Sequence, residues 1–80
     1  MALKDWKKVK DDVKGMFIQY RNRHNPKLKV TMKFNSYHKN YEIFAEDETG
    51  EISSTSVGTA QDAMSALADK LDYYADGNTK

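Results

Sequence analysis

Eighty residues, no cysteine, a net charge of +1, 39% apolar content and nine aromatics describe one small domain with barely enough core to fold alone. They exclude disulfide staples and thiolate metal sites. The longest apolar runs are three or four residues, as in Met16-Phe17-Ile18, so no segment reads as a membrane span. The first six residues also lack the apolar stretch of a signal peptide. A cytoplasmic protein is therefore expected. The charge is bland only in sum. Residues 1–40 carry eleven Lys/Arg against Asp5, Asp11 and Asp12, whereas residues 41–80 carry nine acids against Lys70 and Lys80. Such an asymmetry predicts an electrostatically two-sided molecule.

Leu3, Trp6, Val9, Val13, Met16, Phe17 and Tyr20 recur at spacings of three and four. At 100° per residue they share one stripe, which predicts an amphipathic helix over residues 3–23. Pro26 would end it, leaving Arg21, Arg23 and His24 in a last turn where positive charge suits the helix dipole. On such a helix Lys7–Asp11 and Lys8–Asp12 could pair at i,i+4. Lys10, Lys14 and Arg21 would stay without a local acid.

Leu28, Val30, Met32 and Phe34 then alternate with Lys29, Thr31, Lys33 and Asn35. Period two with one apolar face predicts an antiparallel strand. Residues 37–40 read as a hairpin loop and Tyr41 to Glu46 as the return strand. With Ser36 opposite Tyr41, Phe34 would face Ile43 and Met32 would face Ala45, placing Lys33 against Phe44 on the outer side. Gly50 can take positive φ in the following turn, and Glu51 to Val57 reads as a hydroxyl-rich edge strand. Thr59 is a good N-cap for a second helix over residues 60–75, with Ala63, Leu67 and Leu71 on its apolar stripe and Asp62, Asp69, Asp72 and Asp76 opposite.

The predicted order is thus α-β-β-β-α, an α+β domain over residues 1–76 with a flexible tail at 77–80. Two helices would pack on one face of a three-stranded antiparallel sheet. This order resembles that of double-stranded RNA-binding domains. That family carries a lysine-rich signature at the start of its last helix. Here the matching stretch, residues 59–64, holds Asp62 and no base, so the resemblance implies fold and no contact residue.

Nothing points to catalysis. His24 and His38 lack companion ligands, no Gly-rich loop precedes a helix, and no serine has a partner base. No metal, cofactor or small-molecule substrate is expected, and no membrane partner. The expected role is a non-enzymatic binding module that contacts nucleic-acid phosphates through the basic first helix and first strand. Its candidate residues are Lys7, Lys10, Lys14, Arg21, Arg23, Lys27, Lys29 and Lys33, with Phe44 as an exposed ring on which a base can stack. The alternative is a protein-interaction or inhibitor module, of the type carried by phage and mobile elements. It would act through its polarised surface, its edge strand or self-association.

Overall fold

Ile18 and Tyr20 decide how the first quarter of the chain folds. In the computed structural model, which describes residues 3–12 and 17–79, they lie on a strand opposite Met32 and Val30. After a single 3-10 turn at Leu3–Asp5, strands β1 (Trp6–Asp12), β2 (Phe17–Asn22), β3 (Lys29–Asn35), β4 (Asn40–Asp47) and β5 (Gly50–Val57) follow one another. One helix, α1 (Ala60–Tyr73), ends the chain. The strands form one antiparallel meander in sequence order, and α1 lies across β3, β4 and β5.

This overturns the α-β-β-β-α expectation: among the described residues the sheet has five strands and there is one α-helix. Residues 3–23 form β1 and β2 instead of a helix, and the likeness to the double-stranded RNA-binding order goes with it. Two local reasons favour the hairpin. Phe17, Ile18 and Tyr20 are aromatic or β-branched and suit a pleated surface. Gly15 in the middle of a helix would cost about 1 kcal/mol relative to alanine. The larger reason is non-local. Ile18, Tyr20 and Asn22 extend the alternating face of β3, and the helical stripe would have left that edge unpaired. Leu3 and Val9, both members of that stripe, are exposed. Val13 and Met16 lie outside the described residues. The pairs expected at i,i+4 are replaced by one in-strand contact, Lys8 Nζ to Asp11 at 3.1 Å.

The β3–β4 hairpin forms as expected but slips by two residues. Phe34 faces Tyr41, Met32 faces Ile43 and Val30 faces Ala45. A two-residue slip keeps every side chain on its expected face, so the apolar pattern alone could not distinguish the two registers. The turn decides. Asn35 Oδ1 accepts from the amides of Tyr37 and His38, which closes the loop one residue earlier. Lys39 takes the left-handed conformation there, at φ 54°.

The core lies between α1 and one sheet face. Trp6, Tyr20, Leu28, Val30, Met32, Ile43 and Ala45 meet Ala63, Leu67, Leu71 and Tyr74. Thr59 caps the helix as expected, its hydroxyl accepting from the Asp62 amide at 3.1 Å. Two polar side chains tie the far end of the helix to the sheet. The Trp6 indole donates to the Leu71 carbonyl at 2.9 Å. Asn22 Nδ2 donates to the carbonyls of Tyr74 and Ala75, while its Oδ1 accepts from the amides of His24 and Asn25. Gly77, at φ 81°, closes this end. A Cβ there would lie 3.0 Å from Asn22 Oδ1.

The β4–β5 turn carries the clearest acid sensitivity. Asp47 Oδ1 accepts from the Thr49 hydroxyl at 2.6 Å and its amide at 2.8 Å. These bonds hold the Asp47 carboxyl below its ordinary 3.8. A depressed native value means the stabilisation is complete above the unfolded-state value and is lost as pH falls through the native one. Asp47→Asn removes that titration. Denaturant midpoints of the variant should therefore decline less steeply between about pH 5 and pH 2 than those of the parent. Equal slopes would refute the assignment.

Candidate functional site

With α1 on one side, the other face of the sheet has no covering layer among the described residues. Strand alternation and the observed pairing lay its side chains out as a grid. At one end Asp12, Phe17, Lys33, Glu42 and Ser56 stand in line from β1 to β5. Lys10, Gln19, Thr31, Phe44 and Ser54 cross the middle. Lys7, Arg21, Lys29, Glu46 and Glu51 cross the other end. Strands are spaced about 4.8 Å apart and same-face residues about 6.8 Å along a strand. The cations Lys7, Lys10, Arg21, Lys29 and Lys33 therefore fill a patch only three strands wide.

The bulge at Val9 makes this arrangement possible. Lys8 pairs with Tyr20 and Lys10 with Gln19, so one residue is skipped. Without that irregularity Lys10 and Lys8 would share the helix-side face. With it, Lys8 stays beside Tyr20, its ammonium 5.7 Å from the ring centroid, and Lys10 joins Lys7 on the open face. Bulges re-aim side chains in this way and also blunt an edge strand.

Two phenylalanines sit among the cations. Lys10 Nζ lies 5.8 Å from the centroid of Phe17, and Lys33 Nζ lies 5.5 Å from that of Phe44. Both rings are half-buried. From the strand spacing they are about 12 Å apart, two strands over and one step along. Thr31 lies between them, 1% exposed, and accepts from Gln19 Nε2 at 3.1 Å. The floor between the rings is thus closed.

The patch keeps its positive sign because few acids reach it. Lys33 approaches Glu42 at 3.7 Å. No carboxylate lies within ion-pair distance of Lys7, Lys10, Arg21 or Lys29 among the described residues. Glu42, Glu46 and Glu51 hold the β4–β5 side of the same face. Asp62, Asp69 and Asp72 belong to α1, on the opposite side of the sheet. The two charge territories meet along β3–β4, where Lys33 lies 3.7 Å from Glu42 and Lys29 stands opposite Glu46, and Asp12 stands at the β1 end of the basic side.

Of the nine expected contact residues, Lys7, Lys10, Arg21, Lys29, Lys33 and Phe44 come together on this face. The helix expected to present the first three does not exist; β1 and β2 present them. Arg23 stands just beyond β2, where its Nε donates to the Trp6 carbonyl at 3.2 Å. Lys27 is bound to Glu48 at 2.8 Å, which raises its pKa above the ordinary 10.5. That pair lies outside the grid. Lys14 lies outside the described residues. Phe17 is the residue that sequence reasoning missed. Its place in the helical stripe made it a core candidate, although Phe17-Ile18-Gln19-Tyr20 also carries the alternation that turns it outward.

The described residues contain no group of three or more His, Asp or Glu placed to hold a metal ion. No helix among them is long and apolar enough to cross a membrane. Comparison with protein-family models, with curated proteins and with solved structures gave no match to this chain.

Proposed function

We propose that the protein is a non-enzymatic module that binds single-stranded nucleic acid on its open sheet face. The observation that carries this reading is the registered set of five cations and two phenylalanines on a face with no covering layer. A single strand offers what this surface can take: phosphates for Lys7, Lys10, Arg21, Lys29 and Lys33, and unstacked bases for Phe17 and Phe44. A sheet face has no protruding helix to enter the major groove of duplex DNA. The acids of α1 and of β4–β5 repel phosphate, so they steer the strand onto β1–β3. A cysteine-free chain suits action in the reducing cytoplasm.

The lysines now over the two rings have a double part. Each exposed cation–π contact is worth about 0.5–1 kcal/mol. A base that stacks on the ring displaces the ammonium toward the adjoining phosphate. Ring and lysine then act on the same nucleotide.

Fluorescence anisotropy with labelled 20-residue oligonucleotides tests the reading. Single strands should bind more tightly than duplexes of the same sequence, and log affinity should fall with log salt at a slope near −3.5, about −0.7 for each of the five cations. Phe17→Ala and Phe44→Ala should each weaken binding by about 1–3 kcal/mol with an unchanged slope. Replacing Lys7, Lys10 and Arg21 together by alanine should flatten the slope by about 2. No binding at low salt, or full affinity in the triple variant, overturns the proposal.

A further inference from the structure

The two edges of the sheet are built differently. β1 carries Lys7, Lys8, Lys10, Asp11 and Asp12 and is interrupted at Val9. Charges and a bulge are the usual means of keeping an edge from pairing. On β5 the irregularity lies at Ile52, between Glu51 and Ser53. Beyond it runs a regular, uncharged stretch, Ser53-Ser54-Thr55-Ser56-Val57, whose outer side faces no other strand among the described residues.

Between β5 and α1 lies a groove of about 440 Å³, lined by Ile52, Thr55, Ala66, Asp69, Lys70 and Tyr73. Tyr73 is 75% exposed beside it. Asp62, four residues before Ala66, lies on the same helix flank. That flank is self-complementary. A two-fold axis beside Thr55 would run two copies of α1 antiparallel, with Ala66 opposite Ala66 across the groove. It brings Lys70 of each copy toward Asp62 of the other. Lys70 is half-buried and bonded to Ser53 Oγ at 2.8 Å. Burial pushes its ammonium below the ordinary value with only Glu51 opposing that shift, so a second carboxylate is welcome there.

We infer that a second copy of this chain docks on β5, pairing antiparallel about Thr55 to form a two-fold dimer with a continuous ten-stranded sheet. In this register Thr55 meets Thr55, Ser54 meets Ser56 and Ser53 meets Val57. Helix-side residues then oppose helix-side residues, and no charges are juxtaposed. Val57 enters the partner's groove beside Tyr73. Pairing β5 with β1 instead would be heterologous and open-ended, and the charges of β1 oppose it. The dimer sets the two cationic fields at the outer thirds of one sheet, separated by the acids of β4 and β5. A long strand would therefore be held at two places.

Sedimentation velocity on the full chain tests the dimer directly, without nucleic acid, so its outcome is independent of the binding experiment above. The parent should sediment at twice its 9.2 kDa as concentration rises. Thr55→Lys sets two ammoniums on the axis and should move the monomer–dimer midpoint upward by at least about tenfold, with the circular dichroism spectrum unchanged. Thr55→Cys should cross-link on oxidation. Ser53→Cys should not, because its two copies stand about 14 Å apart along the strands. A parent that stays monomeric at every concentration overturns the inference and leaves the edge to a foreign strand. Dimers that survive Thr55→Lys, or that cross-link through Ser53→Cys, overturn the proposed pairing.

Discussion

Trp6→Ala is expected to cost about 3–5 kcal/mol, enough to leave a domain of this size largely unfolded at 37 °C. Trp6 is 2% exposed, whereas the rest of β1 is exposed throughout. One side chain therefore anchors the whole strand. Its loss opens a large cavity under the helix and removes the only side-chain bond to the Leu71 carbonyl among the described residues. Trp6→Phe separates the two effects. It keeps most of the ring volume and should cost about 1–3 kcal/mol, much of it the price of an unsatisfied buried carbonyl. Urea denaturation of the two variants gives the comparison. A parent-like midpoint for Trp6→Ala would show that β1 is held by its backbone ladder alone.

Asn22→Asp should destabilise by about 3–5 kcal/mol at neutral pH, because it aims a buried carboxylate oxygen at two carbonyls, a repulsion that the two amides bonded to its other oxygen offset only in part. Asn22 is 1% exposed, and its two donors and two acceptor lone pairs are all engaged. The substitution keeps the shape and the acceptor side. It turns the donor side into a carboxylate oxygen aimed at two carbonyls, at the negative end of the α1 dipole. Both features favour the neutral acid and raise the native pKa of the new group. With a raised native value, the folded state binds more protons than the unfolded one above about pH 3.9. The variant therefore loses stability as pH rises through that window. Its deficit should be smallest near about pH 4 and largest near about pH 7, the reverse of the Asp47 effect. A deficit that does not change with pH would mean that the donor bonds to Tyr74 and Ala75 contribute little.

The sequence resolved best where pattern and punctuation agreed. The alternation from Leu28 to Asn35, the glycine at position 50 and the Thr59 cap each correspond to one physical constraint, and each appears in the fold. The first quarter failed because its apolar residues fit two periods. Leu3, Trp6, Val9 and Tyr20 fall on a helical stripe, while Ile18, Tyr20 and Asn22 alternate. Only the partner strand selects between them, and that partner lies ten or more residues away. Asn22 was invisible for the same reason. A lone asparagine looks like a loop residue until the helix end it serves, 52 and 53 residues on, is in place. The candidate face fared better than the elements that carry it. Six of its residues were named from charge and exposure, three of them as the flank of a helix that is a strand pair instead, and Lys10 joins the face only through the bulge at Val9. Phe17 needed the correct element first.

The bond between Trp6 and Leu71 spans 65 residues, and this separation bears on how the protein is made. At a synthesis rate of about 5–20 residues per second, some 3–13 s pass between the two ends of that bond. During that interval the five strands have emerged without the layer that shields their apolar side. Val30, Met32 and Ile43 then lack the helix that buries them in the folded chain. The last turn of the helix is thus the piece that closes the apolar side of the sheet.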